Sequence, residues 1–202
     1  MAHQVADYAH TLGVTETPPV RRHTTTHVGA ALADAVLQAG LSYRSVVYPR
    51  VQRIQRDFPE AATLDGLMDI IERDAVSTFL LWRHVTKIDR FKALVLLLSD
   101  AGVDDVASAR HWLCRPDARP AMLAVHGVGP KTFDYLGCLL GLEWIAVDRH
   151  VKLFVAEAGV DARDYDTVRA TVSFAADLLR ISRRGFDGWI WRLVANRSLT
   201  LR

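Results

Sequence analysis

The chain has 202 residues, half of them apolar, and its 25 lysines and arginines stand against 23 aspartates and glutamates for a formal net charge of +2. That length can bury a sizeable core, as one domain or as two small lobes. So small a net charge excludes a polybasic protein held to nucleic acid by bulk charge and leaves room only for a local basic face. In chain order, the hydrophobic period predicts a helix from near residue 27 to Gly40 on Ala31, Val36 and Leu37, and a second on Val46, Val47, Val51 and Ile54 that ends at Phe58-Pro59. Leu64, Leu67, Met68 and Ile71 form the next stripe, Phe79, Leu80 and Trp82 another, and Phe91 to Leu98 a strongly apolar helix. Short helices are predicted over 104–114 and 118–125, and longer ones over 130–141, 149–158, 165–180 and 186–196. No convincing stretch alternates with period two, so the expected class is all-α.

Charge is unevenly placed along the chain. Residues 180–202 hold Arg180, Arg183, Arg184, Arg192, Arg197 and Arg202 against Asp187 alone. The Thr-rich stretch Thr15 to His27, with Pro18-Pro19 and Arg21-Arg22-His23, reads as an exposed arm or linker. The first thirteen residues lack the apolar core of a signal peptide, and no run approaches a membrane span. A cytoplasmic protein is expected, nucleoid-associated in a bacterium. Cys114 and Cys138 show no C-x-x-C spacing and are expected to be buried free thiols.

The stretch that carries chemistry is Leu123-Ala-Val-His-Gly-Val-Gly-Pro-Lys-Thr132-Phe-Asp-Tyr-Leu136. A short apolar helix ends at Val125, two glycines flank Val128, and Pro130 opens the next helix. Glycine admits positive φ and lets another backbone come close. Proline suits the first helical position, where its missing N–H would be unpaired anyway. The turn should point free amides, at the positive end of a helix dipole, toward a phosphate, without reading any base. The candidate DNA-contacting residues are His126, Gly127, Val128, Gly129, Lys131 and Thr132. A tightly packed hairpin with no ligand is the alternative.

This stretch resembles the helix-hairpin-helix module of DNA repair and replication proteins. Farther on, Trp144-Ile-Ala-Val-Asp148-Arg-His150-Val151 places an aspartate where a helix begins. The two segments together resemble the helix-hairpin-helix, Gly/Pro-rich, Asp superfamily of DNA glycosylases, to which endonuclease III belongs. The likeness is carried by residues 121–155 and extends more weakly from about residue 44, where Phe58-Pro-Glu-Ala-Ala-Thr-Leu64 has the same character. The resemblance implies a bifunctional glycosylase with abasic-site lyase activity, acting on a damaged, oxidised base in duplex DNA. Lys131 would attack the sugar carbon that bears the base, and Asp148 would stabilise the oxocarbenium-like charge as the base leaves. Alone, Asp148 also reads as the N-cap of the helix at 149–158, and Lys131 as a phosphate contact. Arg149 is a further candidate for the DNA backbone, or a solvated side chain.

The chain departs from endonuclease III in having no cysteine after Cys138, so the cluster ligands of that enzyme are missing. No side chain stands out as the one that fills the gap left by an extruded base; Tyr43, Arg44, Gln52 and Gln55 are the candidates. No cofactor is implied, apart from a monovalent cation that such hairpins often hold, here on backbone carbonyls around Val125 and Val128. The expected architecture is a monomer of two helical lobes flanking a cleft. Residues 1–50 with 155–202 would form one lobe. Residues 51–154 would form the other, with the hairpin at about 118–141 and the Asp148 loop, and Lys131 and Asp148 would face each other across the cleft. Two other functions stay open: a monofunctional glycosylase in which Asp148 activates water and Lys131 only holds DNA, and a non-catalytic module binding damaged or branched DNA.

Overall fold

The helical period of the sequence is realised as helix throughout a computed structural model that describes residues 1–14 and 24–200, with side chains to residue 197. There is no strand among the described residues. In chain order the helices are α1 (Ala2–Thr11), α2 (Val28–Leu37), α3 (Tyr48–Asp57), α4 (Leu64–Glu72), α5 (Val76–Leu80), α6 (Val85–Asp100), α7 (Val106–Leu113), α8 (Ala118–Ala124), α9 (Pro130–Leu139), α10 (Arg149–Glu157), α11 (Tyr165–Leu178) and α12 (Arg183–Thr200). A π turn at Tyr43–Val47 leads into α3, and a 3₁₀ turn at Pro59–Ala62 leads into α4. Among the described residues no helix is long and apolar enough to cross a membrane.

The chain divides into two compact units, residues 24–141 and both chain ends together. At the centre of the middle unit is α2, whose ten residues are all buried. A helix apolar on every side must be covered on every side, and α3, α6 and α9 pack around it. Gly29 makes the contact close: a Cβ there would lie 2.9 Å from the carbonyl oxygen of Ala61 and from Leu67. His27 caps the helix. Its Nδ1 accepts the Ala30 amide at 3.1 Å, so Nε2 must carry the proton it donates to the Phe58 carbonyl at 2.9 Å. At the other end, Lys87 of α6 donates to the carbonyls of Val36, Leu37 and Ala39 at 2.8–3.0 Å, taking the place of missing intrahelical donors. Phe79, Phe91, Leu64, Leu67, Leu94 and Leu98 complete this core.

The unit formed by the chain ends packs α1 on α11 and α10 on α12. Phe154 of α10 sits among Tyr8, Phe186 and Trp189, with ring centroids 5.2, 6.1 and 5.8 Å away. The sequence pattern did not mark α1 as a helix, because Val5, Ala6 and Ala9 are too small a stripe by themselves; burial against α11 stabilises it.

The division at 23/24 and 141/142 differs from the expected boundaries at 50 and 154. Residues 24–50 belong to the middle unit because α2 is its central helix. The segment before Asp148 belongs to the other unit because Ile145 and Val147 are part of that unit's core. Cys138 is buried and Cys114 is exposed, a correction to the expectation for Cys114. The buried face of α7 is Ala109, Trp112 and Leu113, and the residue after it falls outside that face. Of the expected arm, residues 15–23, including Arg21, Arg22 and His23, lie outside the described residues.

Candidate nucleic-acid interface

Between α8 and α9 the chain leaves the helical region at Val125 (ψ 126°), and the Val128 amide closes the turn on the Val125 carbonyl at 3.0 Å. The Val128 side chain is buried and anchors the turn from below. Gly129 is the N-cap of α9 and Pro130 its first residue. The Gly129 carbonyl accepts the amides of Thr132 and Phe133 at 2.9 and 3.2 Å. The Gly127 and Gly129 amides donate to no partner among the described residues. They stand near the positive end of a helix dipole and can serve an anion.

The two glycines have different reasons to be there. Gly127 has φ +77°, a backbone conformation that calls for glycine, and a Cβ on it would have to displace the guanidinium of Arg90. Gly129 has an ordinary φ of −109°, and a Cβ on it would meet nothing within 4 Å. No packing in the molecule calls for glycine at 129. What the bare backbone permits there is close approach from outside.

Arg90, on α6, was not found by reading the sequence. Its Nε donates to the His126 carbonyl at 3.0 Å. His126 itself is exposed, and Thr132 is buried. The Val125 carbonyl, one of the two expected to hold a monovalent cation, already accepts the Val128 amide, and Arg90 brings a fixed positive charge to the same turn. Among the described residues no group of His, Cys, Asp and Glu is placed to hold a metal ion.

Lys131 is the second residue of α9, and its Nζ donates to Oε1 of Gln38 at 2.8 Å. One turn along each helix, Tyr135 donates its hydroxyl to Oδ1 of Asp34 at 3.0 Å, and Tyr43 donates to Oδ2 at 3.1 Å. Asp34 of α2 and Gln38, its C-cap, stand i,i+4, as do Lys131 and Tyr135 on α9, so two polar rungs join these segments. Because an ammonium only donates, the amide oxygen of Gln38 must face it. That leaves Nε2 buried and without a partner among the described residues. Asp34 and Gln38 were also missed; the available signal was a polar i,i+4 pair on an otherwise apolar helix. Of the gap-filling candidates, Gln55 is bound to Thr25 and to Gln52, Tyr43 belongs to the Asp34 rung, and Arg44 is exposed.

Asp148 lies in the other unit, as the N-cap of α10. Its Oδ1 accepts the amides of His150 and Val151 at 2.8 and 3.0 Å, and its Oδ2 meets His150 Nδ1 at 3.1 Å. The far side of the His150 ring packs on Trp191, centroid to centroid 5.9 Å. The carboxylate is thus fixed in direction by three hydrogen bonds, and Arg149 beside it is exposed. No protein-family model matches the chain, and no curated protein or solved structure matches it either.

Proposed function

We propose that the chain is a DNA glycosylase with abasic-site lyase activity, which grips duplex DNA through the hairpin at Val125–Pro130. The observation that carries the DNA-binding part is Gly129. A bare, ordinary-φ backbone position with open space beside it, next to an unpartnered amide at a helix N-terminus, suits a phosphate and serves no packing purpose. The enzymatic part rests on the likeness of the Lys131 and Asp148 segments to the glycosylase superfamily. In this reading a neutral Lys131 amine attacks C1′ of the damaged nucleotide, the base departs with a proton, and the resulting Schiff base allows β-elimination of the 3′ phosphate. Asp148, with its direction fixed by His150 and two amides, stabilises the positive charge that develops on the sugar. In the structure the Lys131 amine donates to the amide oxygen of Gln38, and in this reading it leaves that partner to attack.

The same bond favours a second reading, in which Lys131 ties α9 to α2 and Asp148 activates water in a monofunctional enzyme. Borohydride trapping on duplexes with an abasic site or a single oxidised base separates the two. A covalent adduct that disappears in Lys131→Gln is the expected result; base release without an adduct selects the monofunctional enzyme, and binding with neither product leaves a non-catalytic DNA-binding module. Asp148→Asn keeps a good N-cap, so its stability should stay within a few tenths of a kcal/mol of the parent. Its base release should fall by about a hundredfold or more.

A further inference from the structure

We infer that Arg90 supplies the side-chain positive charge with which the hairpin turn meets a DNA phosphate; this rests on the reading that the hairpin binds DNA. Arg90 lies 36 residues before the turn it serves. Its guanidinium occupies the space that a side chain on Gly127 would fill, and its Nε is spent on the His126 carbonyl. One bond fixes the group in place, and the remaining N–H donors of the planar fork suit two oxygens of a phosphate.

The charge on Arg90 is also uncompensated. Some surface arginines are paired with neighbouring carboxylates, Arg115 with Asp117, Arg163 with Asp161 and Arg183 with Asp177, and others, Arg90 among them, are not. Arg90 makes no ion pair among the described residues. The positive charge of Arg90 is felt by Lys87, whose pKa is lowered first by burial and then by that charge. Lys87 is itself committed to three carbonyls at the end of α2. A partly exposed guanidinium outside any ion pair, held beside amides that have no partner among the described residues, is arranged for an anion from outside.

The test is fluorescence anisotropy of the full chain on a duplex carrying a stable, uncleavable abasic-site analogue, over a series of potassium chloride concentrations. Arg90→Met should weaken binding and lower the slope of log affinity against log salt by about one, the loss of one phosphate contact. Arg90→Lys, which keeps the charge, should retain most of that slope. A thermal melt of each variant accompanies the binding curves. An Arg90→Met protein that melts earlier but keeps the parent slope overturns the inference, since Arg90 would then only brace the turn. Wild-type affinity should be equal in potassium and tetramethylammonium chloride of the same strength. A requirement for potassium overturns the inference, because a bound ion would then carry the charge. Failure of the wild type to bind at all removes the DNA-binding reading and Arg90's part with it, whereas wild-type binding with an unchanged variant slope removes Arg90 alone.

Discussion

His27 caps α2 with one imidazole nitrogen and donates with the other, so protonating it removes the acceptor on which the cap depends. Burial, the largest influence, holds its pKa below the usual 6.5 in spite of the raising effect of the Phe58 carbonyl. The consequence for stability has a definite sign. Between the folded and the unfolded pKa the unfolded chain binds a proton that the native protein does not, so stability rises with pH in that window. His27's contribution is complete above about 6.5, and it is lost as the pH falls through that value toward the lower folded one. Thermal melts of the wild type and His27→Asn, from about pH 7 down to about pH 5, check this. Asparagine keeps a capping oxygen but does not titrate, so the wild type should lose melting temperature more steeply with acid than the variant. Parallel curves would sink the idea. The cap as such was not evident from the chain, where a histidine in a Thr-rich stretch has no signal that sets it apart; only the Phe58 carbonyl, 31 residues away, turns it into a structural group.

The turn between α8 and α9 was legible because its determinants are local. Gly127 and Pro130 act through their own backbone torsions, and those preferences can be read without knowing the fold. Arg90 and the rungs between α2 and α9 were not legible, because no backbone preference marks them: they exist only once distant helices are packed. The two glycines nevertheless predict different outcomes. Gly127→Ala puts a β-carbon residue at positive φ, a cost of about 1–2 kcal/mol, and displaces the Arg90 guanidinium. It should lower stability and also reproduce the smaller salt slope of Arg90→Met, with no further loss of slope in the double variant. Gly129→Ala meets no neighbour, so its stability cost should be limited to that of a poorer N-cap, about 1 kcal/mol. Its effect on DNA affinity should be disproportionate, because the added methyl stands where a phosphate would approach. If anisotropy shows Gly129→Ala binding as tightly as the wild type, the open space at that position has no ligand to explain it.

At the scale of the whole molecule, the all-helical class followed from the hydrophobic period, but the partition of helices did not. The apolar run at 28–37 was readable as a helix; that it stands at the centre of the middle unit follows from its burial on every side, a tertiary fact. The middle unit also begins and ends in one place. The Thr25 amide donates to the Leu139 carbonyl at 3.2 Å, and a Cβ on Gly141 would lie 3.3 Å from the Thr24 methyl. A unit with adjacent ends and its own core has the anatomy of an inserted domain. Excised as residues 24–141, it should therefore fold alone, with a helical circular-dichroism spectrum and a cooperative thermal transition. Because His126, Gly127, Gly129, Arg90 and Lys131 all lie within it, it should keep salt-dependent binding to duplex DNA. Because Asp148 lies outside it, it should release no damaged base even where the full chain does. A fragment that fails to fold would mean that the core around Phe79 and Phe91 is insufficient without the chain ends. A folded fragment that still excised bases would remove Asp148 from the chemistry and turn attention to Asp34, the buried carboxylate one helical turn from Gln38, the residue that holds Lys131.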